Sequence, residues 1–275
     1  MMAPGCTPIA FTIAGSDPSG GAGLQADLKT FAALGVYGCA AVTALTAQNT
    51  LGVSAVWPVP AGSVAGQIAS VLEDVPVCAI KLGMLFSREV IEEVATELAK
   101  YPQLPVVCDP VMVATSGDHL LNDDAVQAMI ERFVPNAALL TPNTAEAAVL
   151  LNCEAAGTEN ALCEQAGRLL DLGAQAVLLK GGHIVGQHAS DVLVWREAGR
   201  RQLEILRSPR IPTNNTHGTG CTLAAAIAAG LAKGEALIDA VGHAKRFVSG
   251  AIAHADELHI GAGAGPINHG WRCKN

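Results

Sequence analysis

The chain has 275 residues, half of them apolar and 15% charged. This is enough apolar surface to bury a core without disulfide or metal staples, and it excludes a disordered chain. Seventeen Lys and Arg against 25 Asp and Glu leave a net charge of −8, which excludes the broad basic surface that nucleic acid requires, so any anionic ligand must be met by local positive groups. The eight cysteines, at positions 6, 39, 78, 108, 153, 163, 221 and 273, form no Cys-x-x-Cys pair, and no Lys or Arg precedes Lys29; a reduced, cytoplasmic protein without a secretory signal is expected.

The first β-rich run, Ile9 to Ala14, is followed by the glycine-rich string Gly15-Ser-Asp-Pro-Ser-Gly-Gly-Ala-Gly23. Further runs at Cys39 to Leu45, Val77 to Leu82, Val106 to Asp109, Ala138 to Thr141 and Ala176 to Lys180 are separated by segments of helical length. Near-continuous apolar runs such as Ala176 to Leu179 suit strands buried on both faces, and the connections suit right-handed crossovers. They predict an α/β fold with a mostly parallel sheet between layers of helices. Past Lys180 the pattern changes: Asp191 to Arg196 and Gln202 to Arg207 predict an antiparallel edge hairpin joined through Glu197-Ala-Gly-Arg200. Its arginines at 196, 200, 201, 207 and 210 are read as a solvated face protecting the edge. An Ala-rich helix is predicted over Thr222 to Lys233. The apolar stretch Cys221 to Ala232 is shorter than the roughly 18 to 20 residues of a membrane span. No linker, repeat or low-complexity block divides the chain, so a single domain over residues 1–275 is expected.

Parallel sheets bind ligands beyond the carboxyl ends of their strands. Here the runs end on Gly15 to Gly23, Gln48-Asn49, Gly83-Met84, Asp109-Pro110, Thr141-Pro-Asn143 and Lys180-Gly-Gly182. Gly21-Ala-Gly23-Leu-Gln-Ala26 formally matches a dinucleotide fingerprint, but it begins well past the strand, and no acidic residue lies between Asp27 and Glu73 to hold a ribose. A P-loop is excluded because the chain has no Gly-Lys dipeptide. The phosphate cradle is therefore placed at Asn215-Thr-His-Gly-Thr-Gly-Cys221, where glycines allow close approach and the first turn of the following helix supplies free amides and a favourable dipole.

Cys221 falls in that first turn, where the helix dipole is expected to lower the thiol toward neutrality and make it a base; the alternative is a packed helix-start cysteine. Asp109, together with Glu146 three residues after Asn143, suggests a magnesium region, while the competing role for Asn143 and Glu146 is helix capping. Lys180 is expected to meet triphosphate charge, the alternative being a snorkelling lysine at a strand end. His217 is read as supporting the loop by hydrogen bonding, and no zinc-type histidine spacing occurs. Ser116-Gly117 is a candidate lid hinge.

The strings Ala14 to Asp27, Thr46-Ala-Gln-Asn49, Lys81-Leu-Gly-Met84, Asp109-Pro-Val-Met112, Thr216-His-Gly-Thr-Gly-Cys221 and Gly265-Pro-Ile-Asn-His269 together resemble the bacterial hydroxymethylpyrimidine/phosphomethylpyrimidine kinases of thiamine biosynthesis, over nearly the whole chain. The resemblance implies a ribokinase-like three-layer α/β/α sandwich. It implies phosphorylation, dependent on ATP and Mg2+, of an aminopyrimidine's hydroxymethyl group and then of the resulting monophosphate. It also implies a homodimer. Residue by residue, it makes Gln48 the pyrimidine reader, whose amide offers a donor and an acceptor to an amino group beside a ring nitrogen. Gly15, Asp27, Met84 and Val111 complete that pocket, Asp109 and Glu146 form the magnesium region, and Lys180, Asn143 and Glu146 face the nucleotide. Gly218, Thr219, Gly220 and Cys221 become the anion hole and base. Cys221 departs from the aspartate of most ribokinase-like sugar kinases, and Asn214 from a lysine frequent in relatives. A pyridoxal kinase on the same scaffold stays open, as does a non-catalytic nucleotide-binding thiol sensor.

Overall fold

Two-faced burial of the strands sets the architecture. In β1 (Ile9–Ala14) every residue is buried, with Phe11 and Ile13 entering one core and Ala10 another. The computed structural model describes residues 6–112, 123–182 and 184–273. After β1 come α1 (Gly23–Ala33), β2 (Tyr37–Val42), β3 (Ala44–Asn49), β4 (Gly52–Pro58), α2 (Ala61–Asp74), β5 (Ala79–Leu82), α3 (Arg88–Leu98), β6 (Val106–Cys108), α4 (Asp123–Arg132), β7 (Leu139–Leu140), α5 (Thr144–Leu151) and α6 (Glu159–Asp171). The chain then forms β8 (Ala176–Lys180), β9 (His188–Glu197), β10 (Arg200–Pro209), α7 (Thr219–Ala232) and α8 (Leu237–Ala253).

Eight strands make one sheet in the order β10-β9-β8-β7-β6-β5-β1-β2. The strands from β8 to β2 pair in parallel, while β9 and β10 add an antiparallel edge. One face packs Ile227 of α7 and Phe247 of α8 with Phe31 of α1 against Ala10 and Leu178; the other packs Ile68, Ile91, Met129 and Leu170 of α2, α3, α4 and α6 against Phe11 and Val177. This is the predicted three-layer sandwich. Because β1 lies between β2 and β5, the chain reverses direction across the sheet there, which opens a crevice at the carboxyl ends of β1 and β5. Among the described residues no helix is long and apolar enough to cross a membrane.

The structure changes three of the sequence readings. The run Cys39 to Leu45 is not one strand: it breaks at Thr43, whose amide donates to the Ala14 carbonyl at 3.0 Å and whose hydroxyl donates to the Met84 carbonyl at 2.6 Å. The chain then leaves the sheet, and β3 and β4 pair as a separate antiparallel ribbon carrying Gln48. The helix expected from Thr222 begins at Thr219, because Gly218 caps it. Three of the five hairpin arginines, though about half exposed, are also paired across layers: Arg196 and Arg201 with Asp171, and Arg207 with Glu159, both on α6. Ser116-Gly117 lies outside the described residues.

Candidate active site

A cavity of about 740 Å3 opens at the carboxyl ends of the parallel strands. Gly15, Gln48, Met84, Asp109, Val111, Asn143, Glu146, Lys180, Gly218, Thr219, Gly220 and Cys221 all line it. The sequence thus brings residues from seven separate segments to one cavity. Asp27 is the exception: its side chain is fully buried behind the cavity, where Oδ2 accepts from Lys81 Nζ at 2.8 Å and from Thr12 Oγ1 at 2.6 Å. It supports the pocket floor from below, and the group that reaches the cavity wall is Lys81.

The loop after β1 is organised by Asp17, which the sequence reading passed over. Its Oδ1 accepts from the Ser19 amide at 2.9 Å and hydroxyl at 2.7 Å, and its Oδ2 accepts from the Ala22 amide at 2.8 Å. His217 Nε2 lies 2.8 Å from the same Oδ2. Burial pushes this carboxyl up, but the hydrogen bonds from His217, Ser19 and Ala22 outweigh it and hold the pKa below the ordinary value. The Asp-Pro-Ser-Gly string is the turn signal that could have pointed to this role.

Gly218 has φ 80°, and a Cβ there would overlap the Gly21 carbonyl oxygen, so only glycine lets the two loops meet. The Thr219 amide donates to the Thr216 carbonyl at 3.2 Å, and the amides of Gly220 and Cys221 then open α7, where helix geometry provides no intrahelical acceptor. The loop is fixed from behind by the C-terminal segment. The His217 amide donates to the Gly265 carbonyl at 3.0 Å, and the Gly265 amide donates to Asn215 Oδ1 at 3.0 Å. The Gly263 amide donates to Thr50 Oγ1 at 3.2 Å in the turn of the β3–β4 ribbon, and His269 Nε2 lies 3.0 Å from the Thr222 hydroxyl on α7. Burial, with Lys29 and His217 nearby, pulls His269 down to about 4, so it is neutral at this contact.

Facing the helix end, Lys180 Nζ donates to Asp109 Oδ1 at 2.7 Å and lies 4.0 Å from Glu146 Oε2. Burial disfavours its ammonium, but the carboxylates of Asp109 and Glu146 prevail and push it up to about 12. The snorkelling alternative does not fit a lysine only 14% exposed and bound to a buried acid. Asn143 and Glu146 form a capping box on α5: Asn143 Oδ1 accepts from the Glu146 amide at 2.9 Å, and Glu146 Oε2 accepts from the Asn143 amide at 2.7 Å. Both therefore cap the helix and line the cavity. Burial raises Glu146 to about 7, with Lys180 opposing and Asp109 adding to the rise.

Cys221 sits in the first helical turn as expected, but its chemistry differs from the expectation. Burial pushes the thiol up to about 11; Lys81 offsets part of this, while Asp27 and Asp109 reinforce it. Desolvation therefore outweighs the helix dipole, and the resting group is a neutral thiol. The far end of the cavity carries residues without any sequence signal. Ile211, Leu223, Val248 and Ile252 make an apolar wall, and Lys245 of α8 donates to Asp191 Oδ2 at 2.5 Å. The site thus combines an apolar lining, the helix-opening amides of Gly220 and Cys221 with a lysine for an anion, and a small polar pocket around Gln48. It can hold a large anionic ligand and a heteroaromatic one end to end.

Comparison with known proteins identifies the family and the fold. The family model described as phosphomethylpyrimidine kinase matches residues 17–268. The chain is 53% identical over 263 residues to the hydroxymethylpyrimidine/phosphomethylpyrimidine kinase of Rhizobium meliloti (strain 1021), covering 96% of this chain and 97% of that one. It resembles the solved pyridoxal kinase of Bacillus subtilis in its ADP complex with a TM-score of 0.89 at 37% identity, over 98% of this chain and 100% of the other. The phosphomethylpyrimidine kinase of Clostridium difficile 630 superposes with a TM-score of 0.76 at 39% identity, over 88% of this chain and 97% of the other. The sandwich is therefore ribokinase-like, as the motifs implied, and the chain belongs to the phosphomethylpyrimidine kinase family.

Proposed function

We propose that the protein transfers the γ-phosphoryl group of ATP to the hydroxymethyl oxygen of an aminopyrimidine, and then a second phosphoryl group to the resulting monophosphate, giving the pyrophosphate used in thiamine assembly. The observation that carries this reading is the single cavity joining Gln48, Gly15, Met84 and Val111 to the amino end of α7. A Cβ at Gly15 would overlap Met84 Cε, so a side chain there would push the methionine tip aside and reshape the pocket. The apolar wall of Ile211, Leu223, Val248 and Ile252 suits the base of the nucleotide, and Lys180 with the amides of Gly218 to Cys221 suits its phosphates. In each transfer the acceptor oxygen bonds to the γ-phosphorus as the bond to the bridging oxygen breaks and ADP leaves. The protein's part is to hold the three atoms in line and to match the charge that spreads over the transferring group. In the first transfer the hydroxyl proton passes to the thiolate form of Cys221, regenerating the thiol, whereas the second nucleophile is already an anion.

The residues fit magnesium held mainly by phosphate oxygens and water. Among the described residues no group of three or more His, Cys, Asp or Glu could hold a metal alone. A Cβ at Gly220 would lie 3.2 Å from Lys180 Nζ and 3.8 Å from Asp109 Oδ2, so the missing side chain leaves space between the carboxylate and the helix end. Asp109 would hold the ion there, with Glu146 behind it, and the ion would neutralise phosphate charge.

Coupled ATP turnover with hydroxymethylpyrimidine, its monophosphate and pyridoxal side by side tests the reading. Consumption of both pyrimidines is expected, and no turnover with either refutes it. The close likeness to a pyridoxal kinase supports a second reading, and preferred turnover of pyridoxal would select it. We also propose that the chain works as one kinase unit and pairs with a second copy. Leu45 and Trp57, paired across the ribbon, and Leu51 at its turn are exposed and suit such a contact. Light scattering should report a dimer, and a monomer would refute the pairing.

A further inference from the structure

Gln48 is flanked by two groups whose protons are already committed. The Thr46 hydroxyl donates its single proton to the Ser16 carbonyl at 2.8 Å, and its oxygen lies 3.2 Å from the Gln48 amide oxygen. His217 Nε2 lies 2.8 Å from Asp17 Oδ2 and 3.4 Å from the Gln48 amide nitrogen. An ionised carboxylate only accepts, so His217 Nε2 carries a proton and aims it at Asp17. With its nitrogen toward His217 and its oxygen toward Thr46, the amide would set donor against donor and acceptor against acceptor. Half a turn about the last side-chain bond exchanges the two atoms within the same outline. Oε1 then accepts a share of the His217 Nε2 proton, and Nε2 donates to Thr46 Oγ1.

We infer that His217, fixed by Asp17, is a positioning residue that sets which way round Gln48 presents its amide, and so which way round the aminopyrimidine lies. The inference rests on the proposed reading of Gln48 as the group that contacts the pyrimidine. An amide has two lone pairs and two N–H groups. His217 and Thr46 engage the outer lone pair and the outer N–H, which leaves one of each side by side on the edge that lines the cavity. The ring's exocyclic amine must donate to the oxygen, and the adjacent ring nitrogen must accept from the N–H. On the substrate, the hydroxymethyl group is on the carbon next to the amine-bearing carbon, on the side away from that nitrogen. An amine held on the His217 side therefore places the hydroxymethyl group on that same side of Gln48, within the cavity that His217 and Gly218 to Cys221 line together. The opposite amide order would turn the ring over and carry the reacting oxygen away from the phosphate cradle.

The test compares kcat/KM for hydroxymethylpyrimidine and for its analogue lacking the amino group, in the unaltered protein, His217→Phe, Gln48→Leu and the double variant. The KM for ATP is measured alongside. The unaltered protein should prefer the amino substrate. His217→Phe should cut that preference about tenfold, as loss of an orienting hydrogen bond to the half-buried Gln48 would. The KM for ATP should move less than about threefold, and His217→Phe should remove no further preference from Gln48→Leu. Equal losses on both substrates with the preference intact would overturn the inference, because a damaged loop slows every substrate alike. No preference in the unaltered protein would overturn the reading of Gln48 itself. A crystal structure of the unaltered protein with hydroxymethylpyrimidine decides the point without a variant: the amine toward His217 supports the inference, and the ring turned over refutes it.

Discussion

Replacing Cys221 with alanine should slow the first phosphorylation far more than the second. Burial holds the thiol at about 11 even with Lys81 beside it, so at pH 7 only about one molecule in 10^4 carries a thiolate at rest. A base that scarce makes the first-step rate climb about tenfold per pH unit between about pH 7 and 9. The monophosphate, with a second pKa near 6, is already largely dianionic and needs no base, so the second step should stay flat over the same range. Loss of the base should cost the first step ~10^2-fold, the low end for general-base catalysis, because a loose transition state calls on the proton late. The second step should change by less than about threefold. Single-turnover quench measurements with each pyrimidine at saturating ATP, at three pH values and for both proteins, give all four profiles. Equal losses in the two steps, or a first step indifferent to pH in the unaltered protein, would refute the base assignment while sparing the amide cradle.

Asp27→Asn should destabilise the protein by about 3 to 5 kcal/mol, since it strands the fully buried Lys81 ammonium. The double variant Asp27→Asn with Lys81→Met should recover most of that loss in urea unfolding, and additive losses would contradict the pairing. Glu146 binds its proton more tightly in the folded chain, with a pKa of about 7 against 4.5 for the free side chain. Its contribution to stability is therefore fully present below about 4.5 and lost as the pH rises through about 7. Glu146→Gln, which keeps an acceptor for the capping box, should gain ~1 to 3 kcal/mol on the unaltered protein between about pH 5 and 8. An unchanged difference in urea midpoint across that range would rule this out. Gly218→Ala meets both the positive φ and the Gly21 carbonyl, so ATP turnover should fall by at least about 10^2-fold, and near-normal turnover would show that the loops can separate.

Much of this site was legible because it is local. Strand ends such as Asp109 and Lys180, and the glycine string before α7, announce themselves by the abrupt switch from apolar residues to polar or glycine residues. The Asn-x-x-Glu spacing likewise foretold the capping box. What escaped depends on contacts distant in sequence. The Cys221 thiol is set by burial and by Lys81 and Asp27, which no spacing around position 221 reveals. The same holds for Asp17 and His217, which are 200 positions apart. The β3–β4 ribbon was hidden because Cys39 to Leu45 is apolar except for Thr43, and only the Thr43 hydrogen bonds mark where the chain leaves the sheet. Ile211, Val248 and Ile252 look like any core residues until the fold lines them along one wall.

The way residues 263 to 269 tie together the ribbon turn, the anion loop and the start of α7 has a temporal side. Each element they hold is made earlier in synthesis, so a nascent chain can complete its sheet while its nucleotide cradle is still unbraced. Competence to bind ATP should therefore arrive abruptly, as those residues clear the ribosome.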